Sequence, residues 1–377
     1  MSDTFRLLHS ADLHLGRRFG TMPEAIRGRL IEARHQIVQR LADTARAQGA
    51  ADILLAGDTF DTQTPSAPVW RQALAVMAAD PALRWWILPG NHDSLQAETL
   101  WAAFIAQAPE NVTVITNSEP LSLRADVTLL PSPLQRRRPS SDPTAWMDSA
   151  TTEPGVIRLG LAHGSVTDFS AEGSADDGVI APDRAQKAGL AYLALGDWHG
   201  HLKVGNRTAY SGTPEADGFT HSGRGGCLIV TLQAGMEPQI DRFETGLFHW
   251  SEAELPLLPG QDPAAALNAL IPDTPASRRD HLLRIRATGR TQLLQHQALT
   301  TATEDITPDF AYFQLEASAL QTEVEAADLE LLDHGGALRI AAEALSAQAN
   351  DAALPEGERR IATGALNRLY GYLRDGS

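Results

Sequence analysis

Ile87-Leu88-Pro89-Gly90-Asn91-His92-Asp93 is the stretch on which the fold turns. An apolar run of strand character stops at a proline and a glycine, and three side chains able to bind metal or move protons follow at once. A polar turn accounts for the glycine but not for the whole tetrad. Four other places share the layout: Asp12-Leu13-His14 after residues 5–9, Gly57-Asp58 after 53–56, His163-Gly164 after 156–162, and Gly196-Asp197-Trp198-His199-Gly200-His201 after 192–195. Taken singly each is weak. Asp58 reads equally well as a turn aspartate capping its own backbone, and His163 as a satisfied half-buried histidine. Five such segments in order, each behind a strand, are another matter. Ligands of open α/β sheets gather at the carboxyl ends of strands, so these five ends can converge on one site.

Between the runs the apolar spacing is helical. Residues 24–48 carry Ile26, Leu30, Ile37, Val38, Leu41 and Ala45 near a 3.6-residue period, and 67–79 and 97–107 also read as helices. Short strands then dominate, at 112–115, 127–130, 156–162, 192–195, 208–210, 227–232 and 239–243. This order predicts an α/β fold of sandwich type, two central sheets flanked by helices, rather than a simple doubly wound sheet. Residues 135–155, polar and proline-bearing with Arg136-Arg137-Arg138, read as an exposed loop. A chain of 377 residues is long enough for two domains. The composition shifts near residue 245, which predicts a site-bearing domain at 1–245 and a smaller α+β domain at 246–377. In the latter, 256–263 reads as a turn-rich joint, 281–287 as a strand, and 336–348 and 357–373 as helices.

The charge is strongly negative: 47 acidic against 31 basic residues, net −16. That argues against a protein that coats nucleic acid by charge alone. It does not exclude an enzyme acting on nucleic acid, because carboxylates that hold metal are part of the count. The hydrophobic share of 43% excludes a disordered tail. The single cysteine, Cys227, cannot form an internal disulfide, which fits a reducing compartment. No apolar stretch reaches the roughly 18 residues of a membrane span, and the opening run is too short for a signal peptide. A cytoplasmic protein is expected.

The donor set is chemically uniform. Aspartate, histidine and asparagine are hard or borderline ligands with no thiolate among them. They suit Mn²⁺, Mg²⁺, Fe²⁺ or Zn²⁺ in a solvent-open site rather than a closed structural zinc site. The set exceeds what one ion needs. Two ions about 3.5–4 Å apart would share a carboxylate and hold water between them.

The ordered set resembles the calcineurin-like metallophosphoesterase superfamily. In detail it resembles the DNA-repair branch of SbcD-type nucleases and YhaO-like relatives. The resemblance is carried by residues 8–16 (Leu-His-Ser-Ala-Asp-Leu-His-Leu-Gly), 55–61 (Leu-Ala-Gly-Asp-Thr-Phe-Asp), 88–93 and 210–215 (Tyr-Ser-Gly-Thr-Pro-Glu). It covers about residues 5–245; beyond that only the layout agrees, where the family carries a DNA-capping domain. It implies the four-layer metallophosphoesterase fold and two divalent ions, with Mn²⁺ foremost. Asp12 and His14 would bind one ion, Asp58 would bridge both, and Asn91 and His163 would bind the other. His92 would stabilise or protonate the leaving oxygen, with Asp93 orienting its ring.

The last motif departs from the family's Gly-His-X-His. Aligned on Gly196, Asp197 takes the first ligand position and His199 the second. The other register uses His199-Gly200-His201 and leaves Asp197 outside. The strand end limits side-chain reach, which favours the first. The resemblance implies a dinuclear phosphodiesterase acting on DNA, an exonuclease or endonuclease of repair in which a metal-bound hydroxide attacks phosphorus. It also implies DNA and a separate coiled-coil ATPase of the SbcC or YhaN type as partners, and leaves room for a homodimer. The chain has no P-loop, so ATP use belongs to a partner. Two alternatives stand beside this reading: a phosphoesterase for a small nucleotide or a phosphoprotein, which the acidic charge favours, and a non-catalytic scaffold for DNA ends or an ATPase. Arg17 and Arg18, just past the first motif, are the best placed arginines to meet substrate.

Overall fold

Period-two burial in the first strand sets the layers. In a computed structural model of the chain, which describes residues 4–166, 179–323 and 336–375, strand β1 (Phe5–Ser10) sends Leu7 to one core and Leu8 to another. The same alternation runs through β2 (Asp52–Ala56), where Leu54 and Ala56 face one core and Ile53 and Leu55 the other. Successive strand side chains point to opposite faces, so a strand buried on both faces is apolar throughout.

The chain divides into two compact units, Met1–Trp250 and Ser251–Ser377. The first holds two mixed sheets. In one, β1, β2, β3 (Arg84–Leu88) and β4 (Val112–Val114) run parallel. The second sheet is built from β5 (Leu121–Arg124), β6 (Val127–Ser132), β7 (Ile157–His163), β8 (Tyr192–Gly196), β9 (Leu202–Gly205) and β10 (Thr208–Tyr210), in the order β5-β6-β7-β8-β10-β9. Its inner four strands are parallel and both edges antiparallel. Then β11 (Gly223–Leu232) returns to the first sheet, antiparallel to β1, and β12 (Gln239–Leu257) pairs antiparallel with β11.

Leu7, Leu54 and Leu88 from one sheet and Leu129, Leu161 and Tyr192 from the other fill the core between them. Helix α1 (Glu24–His35) packs on α2 (Ile37–Ala47) and α3 (Ala67–Ala78), and α2, α3 and α4 (Glu98–Ile105) cover the outer face of the first sheet through Leu41, Trp70, Trp101 and Phe104 among others. The outer face of the second is covered by Met147, Ile180 and Ala185. Four layers result, and β1, β2, β3, β7 and β8 end at the five motifs singled out above.

The second unit carries the parallel pair β13 (His281–Gln292) and β14 (Tyr312–Glu323). Its core joins Leu257, Leu267, Ile285 and Leu299. Helices Ala337–Asn350 and Glu356–Asp375 bring Ala342 and Leu366 to Leu293.

Three expectations need correction. Residues 24–48 form two helices, not one. Periodicity cannot see the join because Gln36 stays in the helical region, at φ −71° and ψ −10°. The strand expected at 239–243 continues to Leu257, so Pro256 lies in its last residues rather than in the joint; a proline is tolerated near a strand end. Helix Leu293–Ile306 and strand β14 have no counterpart in the sequence reading. The helix buries only Leu293 and Leu299, which is too few to impose a period.

Leu54 is fully buried at the centre of the sheet–sheet core. Leu54→Ala should cost about 2–5 kcal/mol. A urea titration should show a lower midpoint with the slope unchanged; an unmoved midpoint would contradict this packing.

Candidate metal centre

The loops that follow the strands are stitched to one another by backbone hydrogen bonds. Asp12 N donates to Gly57 O (3.1 Å), His14 N to Asp58 O (3.0 Å) and Leu15 N to Thr59 O (2.9 Å). In the second sheet Gly164 N donates to Gly196 O (3.1 Å). The two sheets meet where Asp197 N donates to the Asp12 carboxylate, at 3.1 and 3.2 Å. Among the described residues, non-glycine residues with left-handed φ are Asp12 (55°), His14 (44°), Phe19 (49°), Asp58 (54°) and Asp197 (103°). Four of these are expected ligands. Each such conformation costs about 1–3 kcal/mol and persists where the surroundings over-determine it, as at functional sites.

The side chains converge on Asp58. Its Oδ1 accepts the His92 backbone N–H at 2.8 Å. Its Oδ2 then stands between two imidazoles, 3.7 Å from His14 Nε2 and 3.6 Å from His163 Nε2. Donor atoms of Asp12, His14 and His199 cluster on one side, with His14 Nε2 and His199 Nε2 3.2 Å apart. Asp12, Asp58 and His163 cluster on the other, where His163 Nε2 is 3.7 Å from Asp197 Oδ1 and Asn91 Nδ2 donates to that oxygen at 3.1 Å. His163 Nε2 and Asn91 Oδ1 are buried and have no hydrogen-bond partner. Such orphaned atoms cost about 1–3 kcal/mol each, and a bound cation would satisfy both. The residues present therefore fit two divalent ions.

Groups around the ligands set their tautomers, as outer partners of metal-binding histidines do. Nδ1 of His163 donates to Ala56 O at 2.8 Å, which leaves Nε2 as the atom that could take a metal. Asp217 stands 3.1 Å from His199 Nδ1, and Asp61 stands 3.3 Å from His14 Nδ1. Arg17 faces both carboxylates, 2.9 Å from Asp217 and 4.0 Å from Asp61. Burial alone would raise the Asp217 pKa, but His199, Arg34 and Arg17 outweigh it and hold it far below the usual carboxylate range. Burial would likewise lower His163, yet Asp58, Asp12 and Asp197 lift it to about 9. His199 moves up for the same reason, burial being overcome by Asp217.

Asp61 and Asp217 are the site residues that sequence reasoning missed. Asp61 lies within a quoted motif; Asp217 sits two residues past another and has no local signature.

Asp93 corrects an expectation. It does not orient His92. Its oxygens accept from Gly90 N (2.7 Å) and Phe60 N (2.9 Å), so it braces the loop that carries Asn91 and His92. The His92 ring is held by Asp61 O, 2.8 Å from Nδ1. His201 is outside the ligand-type clusters found among the described residues and donates from Nδ1 to Tyr210 O at 3.1 Å. His9 is buried against Tyr192 and Leu195, and burial pushes its pKa down to about 3, as a structural histidine requires. Arg18 is exposed, and no described helix is long and apolar enough to cross a membrane.

The family model for calcineurin-like phosphoesterases matches residues 5–200. The chain is 26% identical over 242 residues to the uncharacterized metallophosphoesterase YhaO of Bacillus subtilis, covering 60% of this chain and 57% of that protein. It is 29% identical over 131 residues to the SbcD component of the SbcCD nuclease of Rhodobacter capsulatus, covering 33% of this chain and 31% of that one. The chain thus spans little more than half of the first relative's length and less than a third of the second's. Among solved structures, purple acid phosphatase PPD1 from yellow lupin seeds aligns with a TM-score of 0.42 at 11% identity, over 65% of this chain and 52% of that one.

The geometry makes two outcomes measurable. With a pKa of about 9, His163 carries a proton at pH 7 in the metal-free chain, while a metal takes only the neutral ring. Mn²⁺ uptake should release protons, and apparent affinity should rise with pH until pH passes about 9. Calorimetry in two buffers of different ionisation enthalpy counts those protons; equal heats would contradict the assignment. The second outcome concerns Gly90, where a Cβ would lie 2.9 Å from Asp58 Cγ and closer still to its Oδ1 and backbone N. Gly90→Ala should displace Asp58 and weaken Mn²⁺ binding about 10–100-fold, with far-UV circular dichroism retained. Unchanged affinity would remove Asp58 from the centre.

Proposed function

The chain belongs to the calcineurin-like phosphoesterase family, and from that premise we propose that it is a dinuclear-metal phosphodiesterase acting on DNA, a repair exonuclease or endonuclease. The observation that carries the dinuclear reading is the position of Asp58 Oδ2 between His14 Nε2 and His163 Nε2, at 3.7 and 3.6 Å. The DNA reading is supported by the similarity to the SbcD component of SbcCD, whose name is that of a nuclease, and by the SbcD-like opening motif.

Asp12, His14 and His199 would hold one ion, and Asn91, His163 and Asp197 the other, with Asp58 common to both. Bound there, two divalent ions, Mn²⁺ foremost, lower the pKa of water and neutralise charge on a phosphate. The protein's own groups do the rest. Asp61 O accepts the proton of His92 Nδ1, so the opposite nitrogen, Nε2, is the atom turned to proton transfer. A proton carried on Nε2 can be given to the leaving oxygen. Asp217 and Asp61 keep His199 and His14 in register. Arg17, paired with Asp217 at the mouth of the site, offers positive charge where the strand enters.

We assign DNA positioning to the second unit and ATP use to a separate coiled-coil ATPase, and we place the protein in the cytoplasm.

The test compares wild type and His92→Ala with Mn²⁺ on linear duplex DNA, single-stranded DNA and bis(p-nitrophenyl) phosphate. His92→Ala should lower kcat about 10²–10⁴-fold while Mn²⁺ affinity, measured by calorimetry, holds. Hydrolysis of the small ester alone would favour a small-molecule phosphoesterase. No hydrolysis of any substrate would leave the scaffold reading.

A further inference from the structure

A cleft of about 380 Å³ opens beside the metal-ligand cluster and shares Asp197, His199 and Arg17 with it. Its lining comes mainly from residues 197–201, 211–218 and 220–226, all within the first unit. Phosphodiester chemistry accounts for the end of the cleft at Asp197 and His199. It does not account for the rest.

Trp198 packs against the apolar cluster behind the second sheet and also lines the cleft. Its indole meets the ring of His221 edge to face, with centroids 4.8 Å apart and planes at 69°. The closeness of this pair depends on a glycine. A Cβ on Gly200 would lie 2.9 Å from Trp198 Nε1 and 2.8 Å from His221 Nδ1. Arg224 and Arg242 line the same cleft. Arg242 donates to Arg224 O at 2.6 Å and Arg224 donates to Leu247 O, which fixes where both guanidinium groups stand. One cleft thus brings together an aromatic pair and two arginines beside the candidate metal centre, the groups that take a base and a phosphate.

We propose that this cleft is a nucleoside subsite. The base next to the scissile phosphate stacks on Trp198, with His221 supporting the indole, and the following phosphate lies at Arg224 and Arg242. The proposal deepens the phosphodiesterase reading and rests on it. Every base has a π-face, so such a platform binds without sequence preference, and its removal costs on the order of tenfold in affinity. It also places local positive charge on a chain whose net charge is −16.

Calorimetry on the full chain with Mn²⁺ tests this with thymidine 5′-monophosphate and inorganic phosphate as probes. Wild type should bind the nucleotide about tenfold more tightly than phosphate. Trp198→Ala should bring the two affinities together, His221→Ala should narrow the gap, and Trp198→Phe, which keeps a π-face, should retain most of it. If Trp198→Ala does not fold, the His221→Ala and Trp198→Phe pair decides. Equal binding of the two probes by wild type, or a gap that no variant moves, overturns the subsite. Binding is read apart from hydrolysis. Cleavage of bis(p-nitrophenyl) phosphate without a nucleotide preference sinks the subsite alone, and a nucleotide preference without cleavage of any ester sinks the phosphodiesterase reading alone.

Discussion

Asp58 is the point on which the rest of the structure depends. Its carboxylate is almost fully buried, one oxygen taken by the His92 N–H and the other held between two imidazoles. A buried carboxylate beside Asp12 and Asp197 is costly unless cations compensate it. His163, lifted to a pKa of about 9, supplies that charge in the metal-free chain. Much of the surrounding geometry serves to keep Asp58 there. Residue 90 has no side chain to compete for the space, the β1 and β2 loops bond to each other, and Asp12, His14, Asp58 and Asp197 all hold left-handed backbone. The two apolar cores, tightly buried through Leu7, Leu54, Trp85 and Phe104, provide the stability that offsets this strain.

The strand-end ligands are legible in the sequence because each motif is local. A strand ends, and its last residue or the next four carry the candidate ligands, so order along the chain maps onto convergence in space. The alternation within β1 and β2 likewise announces sheets covered on both faces. What cannot be read is what depends on contacts between distant loops. Asp217 is an ordinary aspartate in sequence and becomes an orienting group for His199 only when residues 211–218 fold back on 197–200. Asp93 looks like a partner for His92 because the two are neighbours. Its carboxylate instead turns inward to the backbone of Gly90 and Phe60, and the carbonyl of Asp61, from another loop, holds the imidazole. Trp198 sits inside a motif, but nothing in its spacing foretells that His221 meets it.

The acidic composition takes on a different meaning beside this geometry. A net charge of −16 argues against a general affinity for a polyanion. Several of its arginines are committed to particular places: Arg34 ties the Leu13 and Glu215 carbonyls together, Arg40 pairs with Glu215, and Arg17, Arg224 and Arg242 line the cleft. Recognition of a nucleic acid would then come from ions, a stacking platform and a few placed guanidinium groups.

The measurement that bears most directly on the dinuclear centre is anomalous diffraction from crystals grown with Mn²⁺. Two peaks about 3.5–4 Å apart are expected, with Asp58 between them. One should lie against Asp12, His14 and His199, the other against Asn91, His163 and Asp197, and His201 should be bound to neither. A single peak, or a peak ligated by His201 with Asp197 turned away, would contradict the assignment.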